Sequence, residues 1–147
     1  MTSQIFSESI SWAPFSRLYL QGTINYVLDK TTTPGDYSMG ATNLVQASKN
    51  NYWMSTLSAG YALNDRTDLT ATYFYYNADN FNDNALYTQP YGASAEQHGV
   101  TVALSYLIKE NMRWTIRYGY FTSHDETSDG HNDFDASVIT TLIQYRF

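Results

Sequence analysis

Arg113-Trp114-Thr115-Ile116-Arg117-Tyr118-Gly119-Tyr120-Phe121-Thr122-Ser123 decides the fold. Trp114, Ile116, Tyr118 and Tyr120 occupy alternate positions, with Arg113, Thr115, Arg117, Gly119 and Ser123 between them. A strand sends successive side chains to opposite faces, so this stretch reads as a strand with one apolar and one polar side. A helix would scatter both sets around its circumference.

The same period recurs on either side. Residues 98–108 set Val100, Val102, Leu104, Tyr106 and Ile108 against Gly99, Thr101, Ala103 and Ser105. Residues 68–78 set Leu69, Ala71, Tyr73 and Tyr75 against Thr70, Thr72, Phe74 and Tyr76. Residues 52–63 and 17–29 repeat it with Trp53, Leu57, Ala59, Tyr61 and with Leu18, Leu20, Ile24, Tyr26, Leu28. A weaker strand is expected from Ile5 to Trp12, and a last one over residues 135–147. Thr, Tyr, Val and Ile fill these segments, as suits a pleated surface. The expectation is an all-β, antiparallel, up-and-down sheet of about seven strands in a single domain over residues 1–147.

Composition narrows what such a sheet does. The 147 residues carry 16% aromatics and only 15% charged residues, against about 25% charged in soluble domains. Mean hydropathy is nevertheless −0.42. Faces that meet two different solvents reconcile these figures, because their contributions cancel in the average. Acids outnumber bases 14 to 8, which argues against a nucleic-acid partner. There is no Cys, so a disulfide framework, a thiolate metal site and a haem-attachment Cys-x-x-Cys-His are all excluded. No cofactor is expected. The residues after Met1 do not read as a signal peptide, and no apolar run is long enough for a membrane helix.

The connections alternate in length. Residues 13–16, 64–67 and 109–112 are short, 30–51 and 79–97 are long, and 124–134 are intermediate and acidic. Each short one shows a weak echo: Trp12 before Arg17-Leu18, Leu63 before Asp68-Leu69, Ile108 before Arg113-Trp114. This rhythm suits a transmembrane barrel with one trimmed rim and one elaborated rim. A crossing strand needs about 9–11 residues, which these segments supply. Trp12, Tyr61, Tyr106, Trp114 and Tyr145 fall near the short turns, with Trp53, Tyr26, Tyr75 and Tyr120 near the long connections. They make two aromatic girdles at the depths where amphipathic rings settle.

The tail Ser137-Val138-Ile139-Thr140-Thr141-Leu142-Ile143-Gln144-Tyr145-Arg146-Phe147 resembles the closing strand of bacterial outer-membrane β-barrel proteins. The resemblance lies in Ile139, Ile143, Tyr145 and the terminal Phe147, with Thr141 a weaker match. It implies an integral outer-membrane location, contact with lipid and lipopolysaccharide, and a C-terminal signal read by barrel-assembly machinery. It also implies a periplasmic C-terminus and short turns. Seven strands would then start outside the cell, whereas family barrels begin and end inside with an even number. The expectation is the C-terminal part of a larger barrel, the alternative being an eighth strand within residues 30–51.

The implied function is a porin-like passive channel for small hydrophilic solutes. The alternatives are a sheath or anchor for a surface or electron-transfer complex, and a soluble lipocalin-like barrel whose apolar face turns inward. The oligomer state stays open, a homo-oligomer included. Candidate pore-lining residues are Arg17, Gln21, Asn25, Arg113, Arg117, Gln144 and Arg146, with pairing to interior acids such as Asp68 as the competing role. Tyr19, Phe74, Tyr76 and Phe121 are expected on the same face. No enzyme is expected: Ser123, His124 and Asp125 are adjacent on a strand, so their side chains cannot converge. Asp125, Glu126, Asp129, Asp133 and Asp135 around Gly130 could gather a hard cation, but a solvated loop explains them better.

Overall fold

The computed structural model describes residues 1–32, 48–80 and 94–147. They form one antiparallel sheet: β1 Thr2–Phe15, β2 Leu18–Thr31, β3 Ser48–Lys49, β4 Tyr52–Asn64, β5 Thr67–Asp79, β6 Ser94–Lys109, β7 Met112–Asp125 and β8 Phe134–Tyr145. The order is β1-β2-β4-β5-β6-β7-β8, and the two-residue β3 pairs with β2 through Lys30 and Thr31. Seven long strands and one short one thus follow one another in chain order, as an up-and-down meander does.

The register preserves the alternation from strand to strand. Trp114 stands between Tyr106 and Ile143, Ile116 between Leu104 and Thr141, and Tyr118 between Val102 and Ile139. Farther along, Leu69 faces Leu104 and Tyr61, and Tyr61 faces Leu18. Every such row keeps the apolar stripe on one side, since a slip of one residue would move a strand's whole stripe across the sheet.

The two faces differ in curvature. Of the buried residues among those described, Val27, Gly60, Ala78, Gly99, Ala103, Gly119 and Ser123 lie on the polar face, and only Ser94, at the start of β6, lies on the other. The apolar face is open: Leu57 is 57% exposed and Ile143 60%. Small side chains crowd the inside of a bend and large ones splay on its outside. The polar face is therefore concave and the apolar face convex.

Among the described residues the sheet is open: these strands do not by themselves close the barrel of which they were expected to form the C-terminal part. β1 and β8 are its edges. With seven long strands in alternation, the two edges run in the same direction, so an antiparallel ladder cannot join them directly.

Boundaries shift in three places. The first strand extends well past Ile5–Trp12 at both ends. Ala13 and Pro14 belong to it, at an irregularity in the β1–β2 register between Trp12 and Phe15. Residues 94–97, expected in a long connection, begin β6 and pair with β5 and β7. β7 continues to Asp125, and a single 3-10 turn follows at Glu126–Ser128.

The weak hairpin echo has a structural counterpart. Each short hairpin turns on two residues, 16–17, 65–66 and 110–111, and each has a register shift in the arriving strand. Among the described residues positive φ occurs only at Asp129 and Gly130. These hairpins therefore do not use primed turns, and the bulges absorb the mismatch in twist. Carbonyls of Arg17, Arg66 and Asn111 accept from the N–H groups of Ala62, Leu107 and Arg146 at 2.8, 2.7 and 2.9 Å. Each turn is thereby tied to the next hairpin.

Candidate functional site

The concave face gathers the polar candidates but spreads them over its height. Arg113 pairs across the sheet with Leu107 and Gln144, and Arg117 with Ala103 and Thr140. Arg17 sits in the first short turn, and Arg146 follows the end of β8. Arg17, Arg113 and Arg146 belong to the short-turn end, and Arg117 lies near the middle of β7. Gln21, opposite Ser11 and Ser58, and Asn25, opposite Ser7 and Met54, lie on β2 and stand apart from Arg117 and Gln144. Asn25 Oδ1 accepts from the Ser7 hydroxyl at 2.7 Å.

Arg113 Nη1 lies 3.8 Å from Asp68 Oδ2, with each side chain nearly half exposed. An exposed pair of that length contributes little stability. Among the described residues, Arg17, Arg117 and Arg146 make no ion pair. Arg17, Asp68 and Arg113 line one hollow of about 490 Å³ together with Tyr19, Thr70 and Ser105. Hydroxyls pair on the same face: Ser105 and Thr115 meet at 2.9 Å between the Arg113 and Arg117 rows, and Ser58 and Thr72 at 3.2 Å.

The aromatic residues on this face lie against backbone. A Cβ built on Gly60 would come within 2.0 Å of the Tyr19 ring, its direct cross-strand neighbour. Gly99 and Gly119 would each meet Phe121 at 2.8 Å. Glycine here supplies space, not an unusual φ, and the ring covers the exposed peptide. An aromatic opposite a glycine was the available signal, but it needs the register to be read.

The aromatic residues expected in the two girdles share the convex face. Tyr106, Trp114 and Tyr145 follow one another near the short turns, with Tyr61 and Trp12 on the neighbouring strands. Trp114 Nε1 donates to Thr141 Oγ1 at 2.8 Å, which gives the threonine hydroxyl in the closing stripe a partner. Trp53 and Tyr75 meet edge to face at 5.8 Å near the long connections, and Tyr120 OH donates to Asp135 at 3.4 Å. Glu8 was not singled out from the sequence. It shares the Ile10 and Trp12 side of β1, opposite Ile24, and brings a carboxylate to an otherwise apolar stretch.

Beyond Tyr120 the chain makes a compact acidic turn. Ser123 and His124 point to opposite faces, so no triad forms. His124 Nδ1 and Asp133 Oδ2 are 2.6 Å apart, and Asp133 Oδ1 accepts from the Asp125 N–H at 2.7 Å. Asp125 caps the 3-10 turn through the Thr127 N–H at 2.9 Å and accepts from Asn132 Nδ2 at 3.0 Å. Among the described residues no three His, Cys, Asp or Glu groups come together to hold a metal. The Asp125 and Asp133 carboxylates serve the turn itself.

Hydrogen bonds from the Thr127 hydroxyl and Asn132 hold the Asp125 carboxyl down at about 2. Asp133 is also lowered, first by the Asp125 N–H and then by His124, while the bond to Asp133 raises His124. The lowered acids stabilise the turn above their ordinary 3.8, and that support is lost as pH falls toward 2. The raised imidazole stabilises it below 6.5, and that part is lost as pH climbs through its elevated value. Amide protection at Asp125 and Thr127 should therefore be greatest between pH 3.8 and 6.5. Protection factors that stay flat from acid to neutral pH would contradict this.

Compared with protein-family models, with curated proteins and with solved structures, the chain matches none.

Proposed function

We propose that this chain forms wall of an outer-membrane β-barrel that works as a porin-like passive channel for small hydrophilic solutes. The observation that carries the reading is the sidedness of the sheet. Large apolar and aromatic side chains stand open on the convex face, while hydroxyls, amides and arginines line the concave one. A soluble lipocalin-like barrel needs the reverse, with its apolar stripe on the concave side. Water would leave the convex face as a large apolar patch, whereas acyl chains suit it. Lipid satisfies no backbone groups, so the edges at β1 and β8 would have to be paired by further strands in the mature barrel. Solutes would then cross through the polar interior, sorted by diameter and lining charge.

The test is reconstitution of the full-length protein in phospholipid vesicles. It should float with the vesicles after an alkaline carbonate wash and give steady conductance in a planar bilayer. A protein that stays in plain buffer would overturn the membrane reading. Flotation without any current would favour the sheath instead.

The closing strand offers a separate check. Phe147 lies beyond β8, fully exposed, with its ring 5.1 Å from Tyr145. Removing so exposed a ring should change the stability of the refolded protein by no more than about 0.5 kcal/mol. If it serves as an assembly signal, Phe147→Ser should still lower the assembled fraction in bacterial outer membranes several-fold. Unchanged assembly in cells, read by heat-modifiable gel mobility, would remove that role.

A further inference from the structure

Resting on the channel reading, we propose that the short-turn mouth of this wall selects small anions that carry carboxylate or phosphate groups. The chain is acidic overall, at −6. Yet four of its five arginines, Arg17, Arg113, Arg117 and Arg146, belong to the concave face or its rim at the short turns. On the strands of that end Asp68 is the one carboxylate facing them among the described residues. The turn charges Asp65, Arg66, Lys109 and Glu110 offset one another. Acids gather at the opposite rim, where Asp79, Glu96, Asp125, Glu126, Asp129, Asp133 and Asp135 lie. Apart from Lys30 and Lys49 at the acidic rim and Arg117 farther up the strand, the wall therefore carries its positive charge at one mouth, and a narrow low-dielectric passage concentrates such a field.

Geometry fits a ligand as well as a field. Arg117 heads a row that runs through Ala103, Thr70 and Gly60 to Tyr19, a floor of small side chains closed by an aromatic ring. Arg113 stands four residues lower on the same strand, about 13 Å away along it. The two guanidiniums face the same concave side at separate heights. Guanidinium forks match the two oxygens of a carboxylate or phosphate and stay charged at any working pH. At 3.8 Å the Asp68 contact is too long to occupy the fork of Arg113. Thr70 and Ser105 border the same hollow and add hydroxyl donors.

The experiment is the reversal potential of the full-length barrel in a planar bilayer under a KCl gradient, repeated with added phosphate. Chloride should permeate more readily than potassium, and phosphate should reduce the chloride current. The double variant Arg113→Gln/Arg117→Gln should bring the permeability ratio to one or below, whereas Arg113→Lys/Arg117→Lys should keep most of the anion preference. Heat-modifiable migration shows that each variant is folded. A steady current that prefers potassium, or a ratio unmoved by the glutamines, overturns the anion site alone. A folded, inserted protein with no current overturns the channel reading and this inference with it.

Discussion

Val102→Arg is expected to destabilise the protein in a lipid bilayer by about 2–4 kcal/mol, the cost of a cation on the lipid face of a barrel at mid-depth. Val102 stands halfway along β6, between Ala71 and Tyr118, and is 40% exposed on the convex face. Leu142→Arg is the matched control. Leu142 is also apolar and 54% exposed, but it faces the concave side, opposite Thr115. An arginine there meets the aqueous interior, so the change should stay within about 0.5 kcal/mol. If water bathed both faces, the two substitutions would be equally mild. Denaturant unfolding in vesicles measures both, and near-equal losses would contradict lipid on the convex side. Glu8, a carboxylate on that side at the β1 edge, carries a smaller penalty than a cation.

Gly60→Val should cost about 1–3 kcal/mol, the usual price of overpacking a filled site. The new side chain would occupy the space of the Tyr19 ring, which lies only 2.0 Å from where its Cβ would stand. Either the ring swings off the concave face or β2 and β4 separate locally. The double variant Gly60→Val/Tyr19→Ala removes the clash, so part of the loss should return. Directly opposed residues couple by about 0.5–3 kcal/mol in such cycles. A neutral Gly60→Val, or a loss that Tyr19→Ala does not relieve, would show that the ring and the glycine do not pack as described.

Sidedness was legible because it is a local property. Trp114, Ile116 and Tyr118 alternate within their own strand, and their partners Tyr106, Leu104 and Val102 alternate within theirs. The Arg113–Asp68 contact was within reach for the same reason, since both residues lie on the polar side near short turns. Features that depend on register were not legible. Tyr19 over Gly60 joins residues 41 positions apart through β2–β4 pairing, and nothing in either strand alone announces it. Pro14 reads as a strand breaker, yet it sits on an edge strand at a bulge, where its missing N–H costs no ladder bond. Ser94-Ala95-Glu96-Gln97 has the composition of a loop. It is held in β6 by neighbours on both sides and by Ser94, whose hydroxyl donates to Glu126 at 3.0 Å. The acidic stretch after β7 looked merely solvated because charge was visible and hydrogen-bond geometry was not.

The side of the sheet that touches lipid can be read from the native tryptophans. Trp12, Trp53 and Trp114 are the only three, and all stand on the convex face. Their fluorescence should be strongly quenched in vesicles of brominated phospholipid and barely touched by aqueous iodide. Strong quenching by iodide, with brominated lipid without effect, would put water against the convex face and contradict the membrane wall.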